Sequence, residues 1–347
     1  MRGKKRVLMW FAAAALCLFA TACGTATGPE ATPAETAPAE TLVTASVGTG
    51  KWLSNAVENY NASDPERGVD LVRFSSEDEL FRALDEGFDA DMYYLGSPGN
   101  RTGEATKLLW DLSADLSGQL DVELAPNLAE ALMKDGELRC LPFDMRIEGL
   151  RWTLSDELPG TMAEAASLAS EQGMSLFSGS MTQYGAVQRL FPYLNACDET
   201  ARGEILDAVS AHVMGDTNGA YNFYAADGGA EFSFDTGAGA IGVPGSGTTA
   251  YYAPETVFGV FEGCEDVDAA WYFLRLLYSD EIQAKTSGLP VTASALDAYI
   301  DEELDEESAP AFRELLENTR AAVGVNTVMD ETKWYTDWYN ANAVENT

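Results

Sequence analysis

The sequence is poor in positive charge. Its 347 residues include 21 Lys and Arg against 56 Asp and Glu, which gives a formal net charge of −35 at pH 7. A field of this sign repels nucleic acid, and the sequence contains no basic patch that could bind it, so we expect no nucleic-acid partner. The same field disfavours a mainly anionic ligand.

Histidine is almost absent, and catalytic motifs are missing. His212 is the only histidine, and its helical surroundings at residues 205–214 predict a packing or surface role. Residues 237–242 (GAGAIG) match a dinucleotide-binding pattern, but a Val-Pro-Gly segment follows where a helix should begin. Residues 48–52 (GTGKW) end like a phosphate-binding loop, but Trp52 replaces the required Ser or Thr. We expect no enzyme activity, no cofactor and no metal site.

Cysteine is also scarce. Besides Cys17 and Cys23, the chain contains Cys140, Cys197 and Cys264, an odd number without metal-type spacing. Three isolated buried thiols are the favoured interpretation, and one disulfide is the alternative in an exported protein.

The first residues have the layout of a secretory signal. A basic head at residues 2–6 precedes an apolar run over residues 7–22, which is shorter than the roughly 20 residues of a membrane-spanning helix. Residues 20–24 (ATACG) resemble a bacterial lipoprotein signal, which is cut just before the cysteine that carries the lipid. Ala20 stands where such signals usually have Leu, and ordinary secretion with an incidental cysteine is the alternative. We therefore predict a signal peptide over 1–22 and lipid attachment, with palmitate, at Cys23.

A tract rich in Ala, Pro, Thr and Glu follows the cysteine. It has too few apolar residues to offset chain entropy, and its prolines favour an extended spacer over residues 23–41. A spacer of this kind would hold a folded domain away from a membrane. The expected location is the extracytoplasmic face of the cell membrane.

The order of patterns after the spacer predicts an α/β fold. Apolar strands at 42–47, 69–74 and 89–96 alternate with amphipathic helices at 51–62 and 76–87. This alternation is typical of a parallel sheet covered on both faces, whose ligands bind at the carboxyl ends of the strands. About 300 residues exceed what one core usually holds, so we expect two lobes.

Three later segments resemble a known family. They are 109–116 (LWDLSADL), 135–152 (DGELRCLPFDMRIEGLRW) and 266–297 (DVDAAWYFLRLLYSDEIQAKTSGLPVTASALD). From about residue 42 the chain is similar to the extracellular solute-binding proteins of ABC importers, in the carbohydrate-binding family that includes maltose-binding protein. The last segment carries the strongest likeness, through Trp271, Phe273, Leu274, Leu277, Gln283, Pro290 and Leu296.

The resemblance implies a two-lobe periplasmic-binding-protein-like fold. Crossover hinge segments would join the lobes, and the ligand would bind in the cleft between them. The chain is expected to cross near 144–149, 241–247 and 290–294. Lobe 1 would then comprise 42–145 plus 246–290, and lobe 2 would comprise 146–245 plus 291–347. The implied function is capture of a carbohydrate, an oligosaccharide above all, by a monomer that presents it to ABC permease subunits.

A sugar site needs aromatic platforms for the apolar face of the ring and polar partners for its hydroxyls. At most one of Tyr93 and Tyr94 should face the cleft, and helix packing is the alternative role for Trp52. For the charged residues of the first crossover, the alternative to ligand binding is a structural role as salt bridges at the hinge. On the last helix, Trp334 or Tyr335 is expected to reach the ligand while Trp338 packs. The expected ligand-binding residues are Trp52, Tyr93, Tyr94, Arg101, Asp144, Arg146, Glu148, Gln183, Tyr184, Trp334 and Tyr335.

Other functions remain open at this point. The acidity would also suit a cationic polyamine or another small solute bound by the same fold. A lipoprotein with an interaction or adhesion role, without transport, is a second alternative. A surface glycosidase is the third alternative, and it is disfavoured because the sequence contains no motif of such an enzyme.

Overall fold

The structure, a computed structural model, describes most of the chain after the predicted spacer. The described residues are 40–48, 51–63, 67–96, 102–177, 182–212, 219–226, 240–306, 308–323 and 332–342. The predicted signal peptide, Cys23 and Arg101 lie outside them. Within these ranges, no helix has both the length and the apolar character needed to cross a membrane.

The first five elements follow the predicted alternation of strands and helices. They are β1 (Glu40–Val47), α1 (Lys51–Ser63), β2 (Arg67–Phe74), α2 (Glu77–Asp85) and β3 (Met92–Leu95). Strand β1 pairs in parallel with both β2 and β3. Helix α2 begins where expected, because the Ser76 hydroxyl accepts the backbone N–H of Glu79 at 3.2 Å.

The remaining elements extend this sheet and cover it. They are α3 (Thr102–Thr106), α4 (Leu116–Gln119), α5 (Leu128–Leu132), β4 (Leu141–Trp152), α6 (Met162–Glu171), β5 (Ser175–Phe177), α7 (Gln183–Ala196), α8 (Glu199–His212), β6 (Gly219–Ala226), β7 (Tyr251–Val260), α9 (Val267–Leu277), α10 (Asp280–Gln283), β8 (Leu289–Pro290), α11 (Ala293–Glu303), α12 (Ser308–Glu317), β9 (Ala321–Ala322) and α13 (Lys333–Asn342). The strand order is β2-β1-β3-β7-β4-β6-β5, with β8 on β4 and β9 on β7. The sheet is mixed, since β7 runs antiparallel to both β3 and β4.

Two separate hydrophobic cores lie along this sheet. The first contains Leu42, Ile147 and Tyr252, and the second contains Leu150 and Tyr251. Strand β4 therefore leaves the first core at Ile147 and enters the second at Leu150, whereas β7 contributes Tyr251 alone to the second core. Two cores joined by long shared strands make up the predicted two-lobe α/β fold.

The packing near the C-terminus differs from the expected lobe boundary. Lobe 2 was expected to include 291–347, but Leu296 of α11 and Phe312 of α12 pack in the first core. The reason is that β8, directly before α11, pairs with the first-core end of β4. Only after α12 does the chain reach the second core, which contains Ala321 and Tyr335.

Buried polar side chains hold each end of β4. On the first-core side, the Gln283 amide donates to the carbonyl of Phe143 at 3.2 Å and accepts the N–H of Val291 at 2.9 Å. On the second-core side, the Tyr193 hydroxyl accepts the N–H of Leu150 at 3.0 Å and donates to the carbonyl of Thr249 at 3.1 Å. The strand is thereby anchored to a helix in each core.

The cysteines of the described residues are free and buried, which confirms the expectation of isolated thiols. They are Cys140, Cys197 and Cys264. Burial raises the pKa of each thiol, and it raises the pKa of Cys264 to about 12. Since the thiolate is the reactive form, these residues are packing groups rather than redox groups.

The anchoring role of Gln283 can be measured. Gln283→Ala should lower the free energy of unfolding by roughly 2–4 kcal/mol, because it leaves the buried Phe143 carbonyl of β4 and the buried Val291 N–H without the Gln283 amide. Urea unfolding followed by circular dichroism gives this quantity. Gln188→Ala, at an exposed position of α7, is the matched control and should change stability little. Equal unfolding midpoints for the two variants would contradict the anchoring role.

Candidate functional site

The topology directs the carboxyl ends of the parallel strands in both lobes toward the same place. In the first lobe, β3 pairs with β7 from Met92 opposite Val260 to Leu95 opposite Val257, so its carboxyl end points toward Tyr251, the second-core residue of β7. In the second lobe, Ala226 at the end of β6 pairs with Ile147. We call residues 144–150 of β4 and 251–257 of β7 the crossover region. Ligands of open α/β sheets bind beyond such strand ends, which makes this region the candidate site.

Charged side chains line one face of the crossover region. Asp144, Arg146 and Glu148 occupy alternating positions of β4 and therefore point to the same side. Arg146 forms ion pairs with Glu148 (Nη2 to Oε1, 3.2 Å) and with Glu255 of β7 (Nε to Oε1, 3.2 Å). In the pair with Glu255, the Nε–H of Arg146 does not have the geometry of a hydrogen bond, so this contact is an ion pair only. We call these four residues the crossover strip.

Hydroxyl groups complete the crossover strip. Asp144 is buried, and its carboxylate accepts the Thr256 hydroxyl and, at 3.3 Å, the Ser287 hydroxyl. The Tyr251 hydroxyl donates to Glu148 Oε2 at 3.2 Å. The hinge salt bridges expected as an alternative are therefore present. Partly exposed ion pairs contribute at most about 1 kcal/mol each, so ligand hydroxyls can displace them at small cost.

Trp52 lies beside the crossover strip at the start of α1. Its ring stacks on Phe143 with centroids 4.1 Å apart and planes 3° from parallel. It also meets Tyr94 edge-on at 5.8 Å. The packing role expected as an alternative is thus real. The half-buried Trp52 also lines a pocket of about 350 Å³ together with Asp144.

We call this cavity the first-lobe pocket. Its described lining residues come from α1, β4, α10 and the segment that follows α10. They are Trp52, Asn55, Ala56, Asn59, Phe143, Asp144, Ile282, Lys285, Thr286 and Ser287. The pocket brings two sequence-predicted residues, Trp52 and Asp144, to one surface. Sequence reasoning missed Asn55 and Asn59, since exposed asparagines on a helix carry no distinctive signal.

Tyr93 and Tyr94 do not meet the expectation that one of them faces the cleft. Both rings are buried, with exposures of 0% and 1%. The Tyr93 hydroxyl donates to Glu77 Oε1 at 3.2 Å, and burial together with the charge of Glu77 raises the pKa of Tyr93. Tyr94 packs against Phe258 at 5.1 Å. The reason is that β3 lies inside the sheet, where side chains on both faces are covered.

The second lobe presents aromatic surface at the start of α7. The Thr182 hydroxyl caps this helix by accepting the N–H of Gly185 at 3.1 Å. Gln183 donates its amide to the carbonyl of Ser210 in α8 at 2.9 Å. Tyr184 is 42% exposed, and its ring meets Tyr339 of α13 edge-on at 5.9 Å. Tyr339 is itself 46% exposed.

The last helix differs from the sequence expectation. Tyr335 is buried in the second core, and Trp334 stacks on Phe191 at 5.4 Å with the Arg202 guanidinium 5.1 Å above its ring. Both rings are therefore largely covered by α7 and α8. The accessible aromatic is Tyr339, one turn after Tyr335. The spacing in the sequence places Trp334 and Trp338 on one stripe of the helix and Tyr335 and Tyr339 on the next, but it does not indicate which side chains face outward. Trp338 packs against the second core, as expected.

The candidate site combines aromatic rings with hydrogen-bonding groups. Trp52 lies beside Asp144 of the crossover strip on the first lobe, and the rings of Tyr184 and Tyr339 are exposed on the second lobe. Among the described residues, no group of three or more potential metal ligands occurs.

Solved structures with a similar fold are sugar-binding proteins. The cyclic alpha-maltosyl-1,6-maltose binding protein from Arthrobacter globiformis is 15% identical, with a TM-score of 0.56, over 85% of this chain and 90% of its own. A periplasmic oligogalacturonide binding protein from Yersinia enterocolitica is 13% identical, with a TM-score of 0.56, over 87% and 94%. The sugar-binding protein MalE from Xanthomonas citri is 14% identical, with a TM-score of 0.55, over 82% and 87%.

The sequence itself matches no protein-family model and no curated protein. At these identities the structural likeness establishes the fold. The chain has the two-lobe fold of extracellular, maltose-binding-protein-like solute-binding proteins.

Proposed function

We propose that this protein is the surface-anchored substrate-binding lipoprotein of an ABC importer. It captures a carbohydrate, most simply an oligosaccharide, between its lobes and delivers it to the permease. The observation that supports this proposal is the crossover strip, rich in hydrogen-bond acceptors, with Trp52 beside Asp144 and with exposed rings of Tyr184 and Tyr339 on the second lobe. The bound sugar is released unchanged, without a cofactor.

The chemistry of the site suits a sugar. Tyr184 and Tyr339 offer exposed aromatic surface to the C–H face of a pyranose. Carboxylates of the crossover strip accept hydrogen bonds from hydroxyls, and Arg146 can donate to ring or hydroxyl oxygens. The fold neighbours are described as binding a cyclic maltosyl-maltose, oligogalacturonides and sugar, which supports the same ligand class.

Lobe closure is the expected conformational step. The two cores share β4, which changes core between Ile147 and Leu150, and β7 contributes Tyr251 to the second core beside these residues. Bending at these points moves one core relative to the other while both keep their packing. The anchors at Gln283 and Tyr193 hold the strand ends, so the bend is confined to the crossover region.

A cationic polyamine is the competing ligand, because the crossover strip contains three carboxylates and one arginine. A thermal-shift screen across oligosaccharides, polyamines and amino acids separates the candidates, since a ligand that binds only the native state raises the melting temperature. Stabilisation by polyamines but by no sugar would replace the carbohydrate proposal. A purified protein that chemically alters its ligand would overturn the receptor proposal.

The second-lobe aromatics give a direct test of sugar binding. Tyr184→Ala and Tyr339→Ala should each weaken binding of the sugar found by the screen about tenfold, since stacking contributes on the order of 1 kcal/mol beyond burial. Isothermal titration calorimetry measures the affinity. Tyr272→Ala is the matched control, because Tyr272 is equally exposed but lies on α9, away from the crossover region. Trp334→Ala should mainly lower stability. Unchanged affinity in both Tyr184→Ala and Tyr339→Ala would remove these rings from the site.

The membrane anchor is tested at Cys23. Cys23→Ala should release the protein into the medium or leave its signal peptide uncleaved, because the lipidation site is lost. Cell fractionation with mass spectrometry of the N-terminus detects either outcome. Cys17→Ala, within the predicted signal peptide, is the control and should leave the protein on the membrane. A fully processed Cys23→Ala protein that stays on the membrane would contradict lipid anchoring.

A further inference from the structure

We propose that the first-lobe pocket binds one neutral sugar ring by itself, before the lobes close, and that Asn55 and Asn59 recognise its hydroxyls. This inference rests on the proposed function and identifies the part of the protein that first meets the sugar. The second-lobe aromatics then add to binding only for a ligand long enough to reach them.

Helix geometry places the recognising groups in a row. Asn55 and Asn59 are four residues apart on α1, and Trp52 is three residues before Asn55, so all three lie on one face of the helix. Phe143 and Asp144 of β4 also line the pocket, as does the segment after α10. A volume of about 350 Å³ lies at the small end of the range for ligand pockets, which suits one ring rather than a chain.

The lining groups have the hydrogen-bonding pattern of a polyol. Each carboxamide of Asn55 and Asn59 both donates and accepts, as a hydroxyl does. Asp144 is only 4% exposed and holds the Thr256 and Ser287 hydroxyls, one on each oxygen. A carboxylate has about four lone-pair sites, so it can accept further hydroxyls. Trp52 supplies the aromatic surface that a C–H face needs.

The charges of the pocket disfavour an anionic ligand. Among its described lining residues, Asp144 is the anion and Lys285 is the cation, and Lys285 pairs with Glu281 at 3.0 Å. An anionic ring would meet the buried Asp144 carboxylate, while the charge of Lys285 is already offset by Glu281. Like charges held together at a binding surface are strongly unfavourable. A polyhydroxyl ring without charge avoids this repulsion, and the two carboxamides suit its hydroxyls.

The pocket is formed within one lobe. Its described lining side chains belong to elements that pack on the first core, and they include none from α7 or α13. Its ligand therefore needs no contact with Tyr184 or Tyr339. Asp144 belongs both to this pocket and to the crossover strip, so a ring bound here would lie next to the strand that bends on closure.

The test uses the double variant Asn55→Ala/Asn59→Ala in the full-length mature protein. Both asparagines are exposed on α1, and alanine favours helix more than asparagine, so the variant should fold. Calorimetric titration with glucose, galactose and xylose should show at least a tenfold loss of affinity for the monosaccharide that the wild-type protein binds best, because two hydrogen bonds are removed. Glu58→Ala, an exposed position of the same helix outside the pocket lining, should keep wild-type affinity.

A second variant tests independence from closure. Tyr184→Ala should lower the affinity for the matching oligosaccharide toward the affinity that the wild-type protein has for the monosaccharide alone. In ¹⁵N-labelled protein, the side-chain amide signals assigned through the asparagine variants should shift when the monosaccharide is added.

Three outcomes would overturn the inference. If the wild-type protein and the double variant Asn55→Ala/Asn59→Ala bound the sugar with equal affinity, this inference would fail while the proposed carbohydrate function would stand. An oligosaccharide affinity in Tyr184→Ala that falls below the wild-type affinity for the monosaccharide would show that the ring needs the second lobe. If no monosaccharide or oligosaccharide bound the wild-type protein, both this inference and the proposed function would fail.

Discussion

The antiparallel pairing of β4 with β7 is the constraint on which the rest of the molecule depends. Strand β4 passes from the first core to the second, and β7, which contributes Tyr251 to the second core, pairs with β4 between Leu141 and Glu148. Backbone groups of β4 bond to β7, β6 and β8, and side chains bond the Phe143 carbonyl and the Leu150 N–H, so the chain can cross without a loop. The same pairing fixes the directions of β3 and β6, which brings the strand ends of both lobes to one region.

The crossing of β4 also brings charged side chains together in the crossover region, where the backbone pairing is irregular. Register irregularities around Asp144 interrupt the β4–β7 ladder. On either side, buried amide and phenol groups hold the backbone, whereas the ion pairs of Arg146 with Glu148 and Glu255 are partly exposed. Exposed pairs are weak and buried hydrogen bonds are costly to lose. The crossover region is therefore easier to rearrange than the cores that it connects.

The aromatic residues show how burial depends on position within the sheet. Tyr93 and Tyr94 point to opposite faces of β3, yet both are buried, because helices and neighbouring strands cover both faces of that strand. Tyr335 and Tyr339 lie one turn apart on the same helix, but the first packs against Phe191 and the second reaches the surface. A single turn thus separates a core residue from a candidate ligand contact.

The sequence by itself determined the α/β class, the first strands and helices and the isolated buried thiols, and its length and family resemblance indicated two lobes. These follow from local information: apolar periodicity, helix-capping residues and a recognisable order of segments. Only the tertiary structure decided that α11 and α12 pack in the first core, that Tyr93 and Tyr335 are buried, and that Asn55 and Asn59 line a pocket. Each of these depends on which distant strand or helix covers a given side chain, and that pairing is a property of the assembled sheet rather than of any short stretch of sequence.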